Sequence, residues 1–231
     1  MGDPAYMAIH CIFPTFAEIP KYCRSMVKSN CKIYCSGTGK NILNTIDSIK
    51  HNDKQPIILV LGYAGATNPQ FSRGDVIVCN QYNALNKPTL FPNKRILDFV
   101  TNLLLEHNIV YYTATSFTSN NVVSTSIQKK ECYERKNDIV EMENYYAVER
   151  ANDYNIPCVC IRFILDTAQD TLPDMSSTLK NNGLISPWHT ACYILRNPFR
   201  IFTMLKILGF TKIVSPNITK VIQTIENSIF P

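Results

Sequence analysis

No apolar run in this 231-residue chain reaches the roughly 18 residues that a membrane-spanning helix needs. The first residues lack the basic stretch and apolar core of a secretory signal. Cysteine is present, nine times, but an odd and scattered set with no C-x-x-C pair and no Cys/His zinc spacing makes neither a disulfide framework nor a metal site. A reduced, cytoplasmic compartment is therefore expected. Charge is sparse: 18% of residues are charged and the net value is +5, too mild for a nucleic-acid binder, which needs a clustered basic face. Glycine is scarce where nucleotide motifs need it. Ser36 to Lys40 reads SGTGK, but Tyr34 stands where a Walker A loop has its first glycine, and Ile42 where a dinucleotide loop has its third. There are no internal repeats and no low-complexity segments.

What remains is a chain with 45% hydrophobic residues, enough to bury the core of one α/β domain spanning residues 1–231. Ala8–Phe13 predicts a first strand and Ala17–Val27 a short helix. Lys32–Ser36 predicts a strand, and Ile42, Ile46 and Ile49 a helix after the SGTGK turn. Pro56–Leu61 is the strongest strand, apolar throughout as for burial on both faces. It runs into a turn of small residues, Gly62 to Ala66, where a ligand can approach the backbone. A strand follows Gly74, and Ile96, Phe99, Val100, Leu103 and Leu104 mark an amphipathic helix. Ile109–Thr115 predicts a strand and Ser116–Thr125 a polar loop. Ala191–Leu195, Pro198–Phe210 and the isoleucines from Ile218 to Ile229 predict a helical C-terminal section. The expected architecture is a three-layer α/β sandwich: a mixed, twisted central sheet flanked by helices.

The chemistry concentrates in Asp138–Asp170. Ile139 and Val140 run into Glu141-Met142-Glu143, a helix follows to the breaker at Pro157, and the buried-looking strand Cys158–Leu165 ends on Asp166. Two carboxylates thus sit at the carboxyl ends of strands, where open α/β sheets bind ligands. Asp166 reads either as a general acid with a pKa raised by desolvation or as a helix N-cap. Glu143 reads either as a clamp on two hydroxyls and a stabiliser of positive charge or as a first-turn glutamate. Glu141 is the more structural of that pair, and Met142 is either a packing surface or core. Arg162, inside an apolar strand, needs a carboxylate partner, Glu143 or Asp166. Glu18 reads as a water activator or a solvated helix-start residue. The SGTGK loop reads as an anion nest or a plain strand-to-helix turn.

The segment VEMEN…IPCVCIRFILDTA, with Met142, Glu143, Arg162 and Asp166, resembles the signature of the nucleoside phosphorylase and nucleosidase superfamily, purine and methylthioadenosine type. LGYAGATNPQFSRGDVIV resembles its G-x-A-G-G turn and G-D-V-V strand, in the right order. The resemblance implies that Asp166 protonates the purine; the ion pair of Arg162, with whichever carboxylate, would also fix the acid's orientation. It implies that Glu143 holds the ribose hydroxyls over Met142 and that Glu18 orients the attacking water. Tyr63, Ala64, Gly65, Phe117 and Leu165 are the further substrate contacts. Ser36, Gly37 and Gly39 would hold phosphate, if phosphate takes part. No cofactor or metal is implied.

The chain departs from the family pattern in two respects. Val60 and Leu61 stand where purine phosphorylases carry a phosphate-binding arginine, which favours water as nucleophile. Tyr63 replaces a Ser or Thr and bears on pocket width. The shortened N-terminus and the tail from Asn182 to Leu208 resemble the hopanoid-associated phosphorylase branch, so a bulky 5′-substituent is among the expectations. The reading is a nucleosidase for an adenosine-type nucleoside. Its alternatives are a phosphate-dependent phosphorylase and an inactive nucleoside- or membrane-binding homologue. The expected partners are a nucleoside and a second copy of the chain, in a dimer or larger assembly, and no nucleic acid. Residues 196–212, basic and apolar together, suggest peripheral membrane contact or else ordinary helix packing.

Overall fold

The structure is a computed structural model describing residues 8–21, 23, 31–172 and 200–228, with the backbone alone for 200–208. Its centre is β3 (Ile57–Ala66). Ile57, Leu59, Leu61 and Tyr63 turn to one face and Ile58, Val60 and Ala64 to the other, each joining a different apolar cluster. Strands alternate faces, so apolar residues at every position mean that both faces are covered.

The strands are β1 (Ile9–Phe13), β2 (Cys31–Cys35), β3, β4 (Val76–Ala84), β5 (Tyr111–Thr118), β6 (Ile139–Glu141) and β7 (Cys158–Asp166). Pairings β1–β2, β1–β3, β3–β7, β4–β5 and β5–β6 are parallel, while β3–β6 and β4–β7 are antiparallel. Followed round, β3, β6, β5, β4 and β7 close on themselves, with β1 and β2 extending outward from β3. The expected mixed, helix-flanked sheet is there, and it is curled into a ring. Helices α2 (Lys94–Glu106) and α5 (Arg200–Glu226) cover one face through Ile96, Val100, Leu104, Val214, Ile218 and Val221. Helices α1 (Ile42–Asn52) and α4 (Asn144–Asp153) cover the other through Ile42, Ile46, Ile49, Ala147 and Val148. Helix α3 (Ser126–Glu134) is polar and begins with a reciprocal Thr125–Gln128 capping box.

Four local expectations are corrected. Gly62 to Ala66 is strand and not turn, because β7 pairs along it and β6 takes up Gly65 and Ala66. Ser116 to Thr118 is strand and not loop, held by β6. No helix starts at Ala17: Phe16 to Glu18 form a turn, with Glu18 N donating to Thr15 O at 3.2 Å, and Pro20 follows; residues 22 and 24–27 of the expected helix lie outside the described residues. The C-terminal helix runs unbroken through Pro216, which is exposed, from Arg200 to Glu226. The expected helix at Ala191–Leu195 and residues 196–199 of the membrane-contact stretch lie outside the described residues, as do the side chains of 200–208. No helix among the described residues is long and apolar enough to cross a membrane.

Candidate active site

The site is built where β3, β6 and β7 end together. On β7 the register against β3 slips: Ala64 faces Ile164, but Gly65 faces Asp166. Leu165 is the extra residue. Such a bulge re-aims the side chain beyond it, and here it sets Asp166 over Gly65. A Cβ on Gly65 would lie 2.9 Å from Asp166 Oδ2, so glycine is required for that approach. Gly62 plays the same part three residues earlier. A Cβ there would collide with Glu18 Oε2 and lie 2.6 Å from Arg162 Nη1. Gly62 thus makes room for Glu18 and Arg162, and Gly65, about 10 Å further along the strand, makes room for Asp166.

Arg162 is fully buried, and its partners are Glu141 (3.1 Å) and Glu143 (3.2 Å), both from Nη2. Its Nε and Nη2 also donate to Asn144 Oδ1 at 2.8 and 2.6 Å, and Nη1 donates to Tyr63 O at 3.3 Å. Of the two carboxylates the sequence offered it, it takes Glu143 and not Asp166. Burial opposes its charge, but Glu141 and Glu143 more than offset that and keep it protonated. Glu141 is the anchor of the cluster. Its Oε2 accepts from the amides of Glu143 (2.6 Å) and Asn144 (2.7 Å), satisfying the start of α4. Its Oε1 accepts from Ser116 Oγ at 3.0 Å and from Thr118 Oγ1.

Glu143 Oε1 accepts from the Gly39 amide at 2.9 Å. Burial pushes its pKa up to about 7, against the pull of Arg162, with Glu141 adding to the rise. Glu18, also buried, accepts from Tyr63 N at 2.8 Å and Thr15 Oγ1 at 2.7 Å. Burial raises its pKa too, while Thr15, Arg162 and the Tyr63 amide hold it back. That makes it a better proton acceptor than a free glutamate. Asp166 is raised chiefly by burial, with Lys129 and Arg73 opposing and Asp170 assisting.

A cavity of about 80 Å³ lies against this cluster, lined by Gly65, Val140, Glu141, Met142 and Asp166 together with Asn121 to Val123 and Leu172. Met142 is half-buried and faces it. Glu143, Glu18 and Arg162 lie in the buried cluster beside it and do not line it. Phe117 instead lines a neighbouring pocket of about 530 Å³, which shares Asn121 with the cavity. Tyr63 and Leu165 turn their side chains onto the α2/α5-side core. The Tyr63 phenol, pushed up to about 12 by burial and the nearby Glu18, does not line the cavity.

The SGTGK loop closes over the cluster, with Gly37 and Gly39 both at positive φ. Its Gly39 amide is taken by Glu143, and its Ser36 amide donates to Phe13 O at 2.9 Å. Among the described residues no group of His, Cys, Asp and Glu is arranged to hold a metal ion.

One residue packed against the site was not legible in the sequence. Lys129, on α3, is fully buried, forms an ion pair with Asp166, and donates to Thr167 O (2.7 Å) and Asp170 O (2.9 Å). It sits in SIQKKECYERKN, where no apolar periodicity distinguishes one lysine from the next. The capping box at Thr125–Gln128 was the one signal that α3 exists.

No curated protein matches this chain. Among solved structures, the Neisseria meningitidis 5′-methylthioadenosine/S-adenosylhomocysteine nucleosidase in complex with methylthio-immucillin-A matches with a TM-score of 0.69 at 14% identity, over 94% of this chain and 97% of that one. The Campylobacter jejuni nucleosidase of the same name gives 0.66 at 14% identity over 96% and 100%. Helicobacter pylori futalosine hydrolase gives 0.62 at 14% identity over 94% and 98%. At such identities the likeness is one of fold. The model of the phosphorylase superfamily matches residues 33–183, which carry Glu143, Arg162 and Asp166, and the chain belongs to that superfamily.

Proposed function

We propose that this protein is a nucleosidase that cleaves the N-glycosidic bond of a purine nucleoside of the adenosine type, with water as nucleophile. The observation that carries this reading is the pair of buried carboxylates Glu18 and Glu143 gathered about Arg162, with a third buried carboxylate, Asp166, at the end of the same strand β7 against Gly65, each with a raised pKa. Breaking the bond takes a proton at the leaving base, charge stabilisation at the sugar and a base for the incoming water. Asp166 delivers the first. Glu143, ionised above about pH 7, supplies the second and accepts the ribose hydroxyls. Glu18 takes the proton from water.

The proton account closes. Water gives its hydroxyl to the anomeric carbon and its proton to Glu18. The base leaves with the proton of Asp166, and exchange with solvent returns both carboxyls to their starting states. The relatives named above support the reaction class, since their names describe nucleosidases and a hydrolase.

Water is favoured over phosphate by what surrounds the site. Val60 and Leu61 are fully buried in the two apolar layers. The buried cations Arg162 and Lys129 are each paired with a carboxylate, and the loop amides of Ser36 and Gly39 are engaged within the protein. The cavity of about 80 Å³ is well below the ~300 Å³ at which ligand pockets begin. Binding on this reading widens the cavity, and the neighbouring pocket that shares Asn121 with it is where a 5′-substituent would go.

The test is incubation with methylthioadenosine, S-adenosylhomocysteine, adenosine and inosine, with and without phosphate, following free base by chromatography. Base released without phosphate is the expected result. Release only with phosphate would make the enzyme a phosphorylase, and no release from any of them would remove the reading.

A further inference from the structure

Asp166 has an unusual surrounding for a proton donor. Lys129 reaches it from α3, and all three ammonium protons are used: on Asp166 Oδ2, on Thr167 O at 2.7 Å and on Asp170 O at 2.9 Å. Both lysine and aspartate are buried. The turn that carries these acceptors is braced from outside by Arg73, whose Nε donates to Leu165 O at 2.9 Å and whose Nη2 meets Asp170 Oδ2 at 2.6 Å. Asp170 Oδ2 in turn accepts from the amide and hydroxyl of Thr167, each at 2.9 Å. Among the described residues Asp166 Oδ1 accepts no hydrogen bond, and the residue lines the cavity. One carboxyl oxygen is fixed by a cation, and the other remains for the substrate.

A structural ion pair alone does not explain the arrangement. Burying a lysine and an aspartate is expensive, and two apolar side chains of similar size are often as stable. The pair does solve a chemical problem. A carboxyl buried without a cation holds its proton too firmly to give it away, because the carboxylate left behind is poorly solvated. A cation fixed beside it stabilises that carboxylate as it forms and makes the proton transferable.

We infer that Lys129 is a positioning residue for the reaction proposed above, holding Asp166 by Oδ2 and stabilising the carboxylate that appears as its proton passes to the leaving base. The inference rests on that reading for its catalytic meaning. Its physical core, that Lys129 sets the acidity of Asp166, is testable without turnover. The charged groups facing Asp166 are Lys129 on α3, Asp170 in the following turn and Arg73 in the β3–β4 connection, with Glu141 across the cavity. Only the first is changed in the test.

The variant is Lys129→Gln, which keeps a hydrogen-bond donor and removes the charge. Lys129→Met is the second neutral variant if glutamine does not fold, and Lys129→Arg restores the charge. The Asp166 carboxyl is followed by carbon-13 NMR in aspartate-labelled protein, assigned with Asp166→Asn. In either neutral variant its titration midpoint moves to higher pH, and in Lys129→Arg it stays close to wild type. Kinetically, the neutral variants lose about tenfold or more in kcat with KM little changed, since Lys129 does not touch substrate. The basic limb of their rate profile moves up in pH, and arginine brings it back. A carboxyl titration that does not move overturns the inference, whatever the activity. A wild type that cleaves no nucleoside while the titration does move removes the proposed reaction and leaves the control of Asp166 by Lys129 standing.

Discussion

Replacing Arg162 by methionine removes the cation that Glu141 and Glu143 share. Both carboxylates are buried, and their Arg162 contacts are 3.1 and 3.2 Å. Taking one partner from a buried ion pair costs about 3–5 kcal/mol, because the other charge stays in the interior unpaired. For a chain of this size each kcal/mol moves the melting temperature by about 2–4 °C, so a fall on the order of 10 °C is expected at pH 8. The loss also depends on pH, with a definite sign. Burial already lifts Glu143 to about 7 with Arg162 in place, and without the cation it rises further above its unfolded value near ~4.3. A carboxyl whose folded pKa is raised favours the folded state when protonated. The destabilisation is therefore full above the folded pKa and recedes as the pH falls through it towards the unfolded one. Thermal melts of wild type and Arg162→Met at pH 8 and pH 5 measure both effects. A loss below about 1 kcal/mol at pH 8, or one that is no smaller at pH 5, would refute the claim that Arg162 exists to balance two buried carboxylates.

Three further outcomes follow from the geometry. Gly62→Ala places a methyl group against Glu18 Oε2 and Arg162 Nη1; overpacking of this kind costs about 1–3 kcal/mol, and kcat falls about tenfold or more while circular dichroism stays native-like. Asp166→Asn keeps the shape and removes the proton, so kcat falls by about 10²–10⁴ in steady-state assays, the usual contribution of a general acid. In wild type the acidic limb of kcat/KM lies near pH 7, because Glu143 must be ionised to hold the sugar; Glu143→Gln lowers the rate and abolishes that limb, and a limb unchanged in the variant would assign it to another group.

Much of this site is legible in the chain because its residues stand where patterns change. Asp166 ends a mostly apolar run, Glu143 opens a helix, and Arg162 is a charge among apolar residues that demands a partner. Sequence offered Arg162 two partners, and the structure chose Glu143 and added Glu141. The choice depends on the Leu165 bulge, which carries Asp166 past Arg162 to face Gly65 and Lys129. A one-residue register slip leaves no mark on hydrophobic spacing. Gly62 to Ala66 read as a turn because small residues usually mean one, whereas here they are strand, and the two glycines in it leave room for Glu18 and Arg162 at Gly62 and for Asp166 at Gly65. The closed ring of strands and the burial of Lys129 are products of long-range pairing that no local window contains.

The most direct test of the central claim is the fate of the oxygen. Methylthioadenosine, or whichever nucleoside of the panel turns over, is incubated with the protein in phosphate-free oxygen-18 water, and the products are weighed by mass spectrometry. The account predicts free base and the matching sugar, methylthioribose in the case of methylthioadenosine, carrying one heavy oxygen at the anomeric carbon, with Asp166→Asn nearly silent under the same conditions. Because the free sugar exchanges that oxygen with solvent, the reaction is quenched early and compared with the same sugar added at the same moment. Cleavage that starts only when phosphate is added, with a sugar 1-phosphate as product, would contradict it.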